Sequence, residues 1–167
     1  MKKIGLIITM FCICFSVFPQ ETEKIKTEAR NEIKLNLLMT LFSFPDISYE
    51  RIWNNNLGLG LSAGFPIESS DVNFLLLPYC RFYFGESSIK SFFIEANVGI
   101  QGRKNYVYDS SYYSARSQNT ADLGLGVAFG YKYVNSSGFI GELFMGIGRT
   151  TNNDVYSRIG ISIGKQF

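Results

Sequence analysis

From Glu32 to Phe167 apolar residues recur at every second position, and the positions between them are mostly glycine, small polar or singly charged residues. A period of two belongs to a β-strand, whose successive side chains point to opposite faces. In "EIKLNLLM", Ile33, Leu35, Leu37 and Met39 share one face and Lys34 and Asn36 the other. In "LGLGLSAGF", Leu57, Leu59, Leu61, Ala63 and Phe65 oppose Gly58, Gly60, Ser62 and Gly64. The pattern returns in "ISYERIW", "FLLLPYCRFYF", "FFIEANVGIQG", "LGLGVAFGYKY", "GELFMGIG" and "VYSRIGISIGKQF", which makes eight segments. No stretch between them has a helical period, so the fold is all-β.

The connections alternate. Tight turns, "NNN", "GESSIK" and "NSSG", follow the second, fourth and sixth segments. Longer loops, "TLFSFPD", "PIESSD", "RKNYVYDSSYYSARSQNT" and "RTTNND", follow the odd ones. "FIEANVGIQGR" at 93–103 echoes "FIGELFMGIGR" at 139–149, and each follows a tight turn. Eight consecutive strands joined this way make an antiparallel up-and-down barrel.

A soluble lipocalin-like barrel turns its apolar face inward; a membrane barrel turns it outward to lipid. Only 18 % of residues are charged, and the small face is glycine-rich. A face meeting water would carry many Lys, Glu and Thr, whereas glycine weakens a strand and gains nothing from solvent. Inside a narrow barrel it makes room for a few large side chains. The small face is therefore expected inside, and the fold expected is an eight-stranded transmembrane β-barrel.

The charges of that face fall one per strand: Lys34, Glu50, Arg81, Glu95, Lys132, Glu142 and Arg158. The third strand offers only glycine and serine. Arg81 and Glu95 are symmetric about Ser88, Lys132 and Glu142 about Ser137, and Lys34 and Glu50 about Phe42. Charges facing a water-poor interior must be paired, since an isolated one costs several kcal/mol. They are expected to form an ion-pair network that plugs the barrel; the other reading is a proton or ion path.

Residues 1–20 read as a cleaved signal peptide, with Lys2 and Lys3 before an apolar run from Ile4 to Phe18 that is short for a membrane span. Residues 21–31 are polar and charge-mixed, a flexible periplasmic lead-in, and 32–167 form the barrel. Losing Lys2 and Lys3 from 16 basic residues leaves 14 against 14 acidic ones, so no nucleic-acid partner is expected. Losing Cys12 and Cys14 leaves Cys80 alone, expected to face lipid.

At the other end, Ile161, Ile163 and Phe167 share the outward face of the last strand, which must pair with the first because a membrane tolerates no free edge. Lys165 interrupts the row near enough to the end to snorkel, as does Arg51 beside Trp53. Trp53, Phe84, Phe92 and Tyr133 sit by the tight turns, where an aromatic girdle belongs. With "EIKLNLL", "PDISYERI", "LGLGLSAGF", "LPYCRFYFG", "FFIEANVGI" and "GKQF" in place, residues 32–167 resemble the small eight-stranded outer-membrane barrel proteins of Bacteroidota, a group without an assigned activity, with OmpA/OmpX-type architecture. The resemblance implies a bacterial outer-membrane location with both termini periplasmic. It implies contact with lipid and lipopolysaccharide, and a C-terminal strand (Ile161, Ile163, Phe167) recognised by the barrel-insertion machinery. It transfers no catalytic residue.

The chain has no histidine, which removes Ser-His-Asp triads, Cys-His pairs and imidazole metal ligands. The Gly-x-Gly runs have no following helix to cradle phosphate. No enzyme, metal or cofactor is expected. One segment could act at the surface: Arg103, Lys104, Tyr106, Tyr108, Tyr112, Tyr113 and Arg116 combine the Tyr and Arg that anchor binding surfaces. It reads either as a contact loop for an extracellular ligand or as a hairpin extension whose Tyr residues join the outer girdle and whose cations meet lipopolysaccharide phosphates. The function expected is a non-enzymatic outer-membrane barrel with a structural or surface-interaction role. The alternatives are a narrow ion or small-solute conductor and a soluble lipocalin-like carrier.

Overall fold

The computed structural model describes residues 30–54, 56–68, 72–84, 90–108 and 115–167. Among them the chain runs β1 (Arg30–Asn36), α1 (Leu37–Leu41), β2 (Asp46–Asn54), β3 (Leu57–Gly64), β4 (Val72–Phe84), β5 (Lys90–Tyr108), β6 (Ala115–Val134), β7 (Phe139–Thr150), β8 (Val155–Ser157) and β9 (Gly160–Gln166). Each strand from β1 to β7 pairs antiparallel with the next. β8 and β9 both pair with β7, and between them the Arg158 N–H donates to the Gly146 carbonyl at 3.0 Å. They are two parts of one strand, which closes on β1. The result is a closed antiparallel barrel of eight strands.

The last residue takes part in the closure. Asn31 and Phe167 exchange both backbone hydrogen bonds at 2.9 Å. Arg30 and Asn31 therefore belong to the barrel wall and not to the lead-in expected over 21–31. The signal peptide and the rest of the lead-in lie outside the described residues.

Three local features differ from the sequence reading. The first strand stops at Asn36, so Leu37 and Met39 do not continue its outward row. The Asn36 Oδ1 accepts from the Met39 N–H at 3.3 Å, an N-cap that turns Leu37–Leu41, three Leu and a Met beside Thr40, into one helical turn. The eighth strand is interrupted at Arg158–Ile159. And the long "RKNYVYDSSYYSARSQNT" connection is mostly ladder: β5 and β6 stay paired to Tyr108↔Ala115, well past the last β4–β5 pair at Val72↔Arg103.

Burial alternates along β2, β3, β4 and β7: the outward row is mainly apolar, and the inward row mixes charged, polar and small residues with Ile52, Leu77, Tyr79, Tyr83, Ile140 and Phe144. Several inward glycines face rings. A Cβ on Gly60 would meet the Tyr79 ring, one on Gly64 the Phe44 ring, and one on Gly160 the Phe144 ring, each closer than 3 Å. Tyr156 lies against four glycines, Gly99, Gly124, Gly126 and Gly148, from three adjacent strands. Small residues on one strand thus create the volume that large side chains of another fill, which is how a barrel this narrow closes its interior.

Candidate functional site

Nine buried charges form one connected network of alternating sign. At the end near the tight turns, the Lys132 ammonium meets Glu32 at 2.9 Å. Glu32 is 3.4 Å from Lys34, which also reaches Glu50 at 2.5 Å and Glu142 at 2.8 Å. Arg81 binds Glu50 and Glu142 at 3.0 Å and Glu95 at 2.8 Å. Glu95 is 3.0 Å from Arg158, which ends the chain on Asp46 at 3.1 Å. All seven residues singled out from the sequence lie in this network, buried to within 3 % of full burial.

Their partners are not always those of the strand register. Arg81 and Glu95 are direct register partners and do pair. Lys132 and Glu142 are register partners as well, yet Lys132 pairs with Glu32. Lys34 stands opposite Ser48, and Glu50 opposite Glu32, so the symmetry about Phe42 is off by one residue. Lys34 reaches Glu50 diagonally.

Sequence reasoning missed two members. Glu32 has the parity of Lys34, but it was placed only as the edge of the first segment; Asp46 has the parity of Glu50, but sat inside a presumed loop. Parity alone could have found both. The network then contains five carboxylates, and both oxygens of each accept a hydrogen bond. Glu50 accepts from Lys34, Arg81, Tyr79 and Tyr83. Glu142 accepts from Lys34 and, on both oxygens, Arg81. Glu95 accepts from Arg81, Arg158 and Asn97. Glu32 accepts from Lys132, Lys34 and Gln166, and Asp46 from Ser62, Arg158 and Asn36.

Rings complete the packing. The Arg81 guanidinium lies 4.2 Å from the Phe93 ring and 4.6 Å from that of Tyr79; the Lys132 ammonium is 4.1 Å from the Tyr83 ring. Such contacts favour a cation where water is excluded. Carboxylate oxygens of Glu32, Glu50 and Glu142 converge within 4.8 Å of one another, as ligands to a cation would. The cation among them is the Lys34 ammonium. Five carboxylates thus share four cations, Lys34, Arg81, Lys132 and Arg158, and every carboxylate oxygen accepts a hydrogen bond within the network.

The other singled-out residues lie at the two ends. Arg103 is not on a free loop: it sits in β5, bonded to Asp154 at 2.5 Å. Lys104 is exposed. Of Tyr106, Tyr108 and Arg116 only the backbone, in the β5–β6 ladder, is described, and Tyr112 and Tyr113 lie outside the described residues. Ile161, Ile163 and Phe167 all face outward. Lys165 does the same and donates to the Ser137 carbonyl at 2.6 Å, beside the Phe139 ring.

No protein-family model matches the sequence, and no curated protein matches it. Among solved structures the chain is similar to the N-terminal β-barrel domain of Pseudomonas aeruginosa OprF. The identity is 15 % and the TM-score 0.57, over 83 % of this chain and 96 % of that one. It is also similar to Neisserial surface protein A (NspA), at 13 % identity and a TM-score of 0.47, over 83 % of this chain and 92 % of that one. The OprF likeness is one of fold: a small eight-stranded barrel of OmpA/OmpX type.

Proposed function

We propose that the chain is a non-enzymatic integral protein of the bacterial outer membrane, with a structural or surface-interaction role. One observation carries this reading: the polarity is inverted relative to a water-soluble barrel. Val127, Phe129 and Leu143 are 60 %, 60 % and 57 % exposed, while Glu50, Glu95 and Lys132 are 0 % exposed. In water both faces would be unfavourable. In a bilayer the apolar belt is solvated by hydrocarbon and the interior pairs itself.

The belt has the right height. On β3 and just beyond it, Leu57, Leu59, Leu61, Ala63, Phe65 and Ile67 form an unbroken outward apolar row. Ten residue steps of about 3.4 Å, tilted by about 40°, rise roughly 26 Å, close to the apolar band of about 25 Å on outer-membrane barrels. Trp53, Phe84, Phe92, Tyr133, Phe139 and Phe167 ring the end with the tight turns, all well exposed. Short turns favour a periplasmic assignment for that end and for both chain termini. The long β5–β6 hairpin then projects outside the cell, where Lys104 and the Tyr-rich tip would meet lipopolysaccharide or an extracellular ligand. The filled interior favours a strut over a conductor. The resemblance to Bacteroidota barrels rests on the sequence segments alone.

Gel mobility tests the reading. The detergent-extracted membrane fraction, unboiled, should run at a different apparent mass from the boiled sample, because a closed barrel stays folded in the detergent at room temperature. Recovery in the osmotic-shock fraction without detergent, with no mobility shift, would overturn it and favour a soluble carrier.

A further inference from the structure

The β6–β7 hairpin is flanked by two lysines at its turn. Lys90 on β5 stands opposite Tyr133 on β6, and its ammonium lies 5.0 Å from the centre of the Tyr133 ring. Lys165 on β9 stands opposite Phe139 on β7, and its ammonium lies 4.4 Å from the centre of that ring. In the barrel wall β6 and β7 lie between β5 and β9. The two lysines therefore lean over one hairpin from its two sides, towards each other.

Between them the outer face has a recess. Gly141 stands opposite Tyr133 on one side and Ile163 on the other, and Phe139 and Leu143 are its outward neighbours along β7. All four carry large, exposed side chains. Glycine weakens a strand, and in a strand interior it often marks a place where a ligand or another backbone comes close. Gly60, Gly64 and Gly160 make room for rings of this chain, but a Cβ on Gly141 would meet nothing within 4 Å. Among the described residues, nothing in the chain uses the space that Gly141 leaves.

The recess lies at the turn end of the apolar belt, at the level of the headgroups of the surrounding leaflet. Each lysine ammonium has three N–H donors. Lys165 gives one to the Ser137 carbonyl at 2.6 Å. The ring beside each lysine holds its cation by the π face and consumes no donor. Among the described residues, no carboxylate side chain stands on the outward face of β5, β6, β7 or β9 at this end. Two cations with spare donors above an empty recess suit a negatively charged acceptor, and in a lipid leaflet that acceptor is a phosphodiester. A zwitterionic headgroup brings a cation of its own, which the lysines repel; an anionic headgroup does not.

We propose that Lys90 and Lys165 bind the phosphate of one anionic phospholipid over Gly141, with the glycerol end of the lipid seated in the recess. The proposal rests on the membrane reading above, and one experiment separates the two. Trp53→Phe with Phe139→Trp moves the single tryptophan of the chain into the site and keeps an aromatic face beside Lys165. The full chain is refolded into phosphatidylcholine vesicles in which a rising share of the lipid is brominated near the headgroup end of its acyl chains. The brominated lipid is phosphatidylglycerol in one series and phosphatidylcholine in the other. Bromine quenches tryptophan on contact, so the two series give the relative affinity of each lipid for the recess. Phosphatidylglycerol should be preferred at least about tenfold, since each lysine near a phosphate surface is worth about fivefold. Lys90→Gln with Lys165→Gln should bring the two affinities to within about twofold of each other. Gly141→Leu, which fills the recess and keeps both charges, should cut the preference at least about threefold. Arg51→Gln, which removes an exposed cation elsewhere on the same rim, should leave it unchanged. Equal quenching by the two lipids overturns the site and leaves the membrane reading standing. So does a preference that survives the lysine or Gly141 changes, or one that Arg51→Gln lowers as much, in variants that keep folded gel mobility. Absence of quenching by either lipid overturns the membrane reading and the site with it.

Discussion

Lys132 and Glu142 stand directly opposite each other in the β6–β7 ladder, yet each pairs elsewhere: Lys132 with Glu32 at 2.9 Å, Glu142 with Lys34 at 2.8 Å. In an open sheet, facing charges would be expected to pair across the ladder. In a barrel this narrow all inward side chains share one volume, so residues from opposite walls compete with register neighbours. Lys34 and Glu142 are 108 positions apart in the chain, but β1 and β7 lie one strand from each other across the closure.

Lys34 is the most connected cation at the closure, and its loss should be costly. Lys34→Met leaves Glu32, Glu50 and Glu142 facing one another without the ammonium between them. Removing one partner of a buried pair costs about 3–5 kcal/mol, which the urea midpoint of the folded gel band in lipid vesicles would report. Lys34→Met with Glu142→Gln should lose less than the sum of the two single changes, because the second removes one of the carboxylates that the first left sharing fewer cations. A neutral Lys34→Met would mean that water solvates the network.

Gly148 tests the packing of the other large group. A Cβ there would lie 2.0 Å from the Tyr156 ring, while at the outward Gly141 it would meet nothing within 4 Å. Gly148→Ala should cost about 1–3 kcal/mol by overpacking, and on a Tyr156→Ala background the same change should cost much less. Gly141→Ala should leave the unfolding midpoint almost unchanged. Equal effects at both glycines would show that Tyr156 does not occupy the glycine pocket.

These positions also show what could be read from the sequence. Period-two alternation is a property of each residue's own strand, so the barrel, its faces and the seven interior charges were legible one strand at a time. The partners were not. Which acid Lys132 meets depends on how staggered strands bring side chains to the axis, and no single segment encodes that. Helix α1 was hidden because "NLLM" fits the alternation of a strand as well as an Asn-capped turn, and the cap at Asn36 decided it. The early end of β1 follows from that cap, since the strand stops where the helix begins. The β5–β6 ribbon reads as a loop in the sequence because its Ser, Asn and Tyr do not alternate in polarity above the apolar belt.

A filled lumen should be electrically silent. Arg81 contacts Glu50, Glu95 and Glu142 at the waist and is 1 % exposed. Purified chain reconstituted in a planar bilayer should show no discrete conductance steps. Reproducible steps from heat-modifiable, folded protein would establish the narrow-conductor alternative and assign the network to an ion path.

The membrane reading predicts a depth profile that no soluble barrel shares. Val127 lies mid-belt on β6, 60 % exposed, and Phe139 lies beside the tight turn at the start of β7, also 60 % exposed. Their surroundings differ only if the belt sits in hydrocarbon. Val127→Arg then places a cation near the midplane, at a cost of about 2–4 kcal/mol, whereas Phe139→Arg sits near the interface and costs about 0–1 kcal/mol beyond the lost ring. On a barrel in water both arginines would be equally well solvated and both changes would fall within about 0.5 kcal/mol. Urea midpoints of the two variants, refolded into vesicles of one thickness, give the difference directly. Moving the same pair into thicker bilayers should raise the cost at Phe139 as the interface shifts outward past it. A cost that ignores bilayer thickness would mean that neither residue faces lipid.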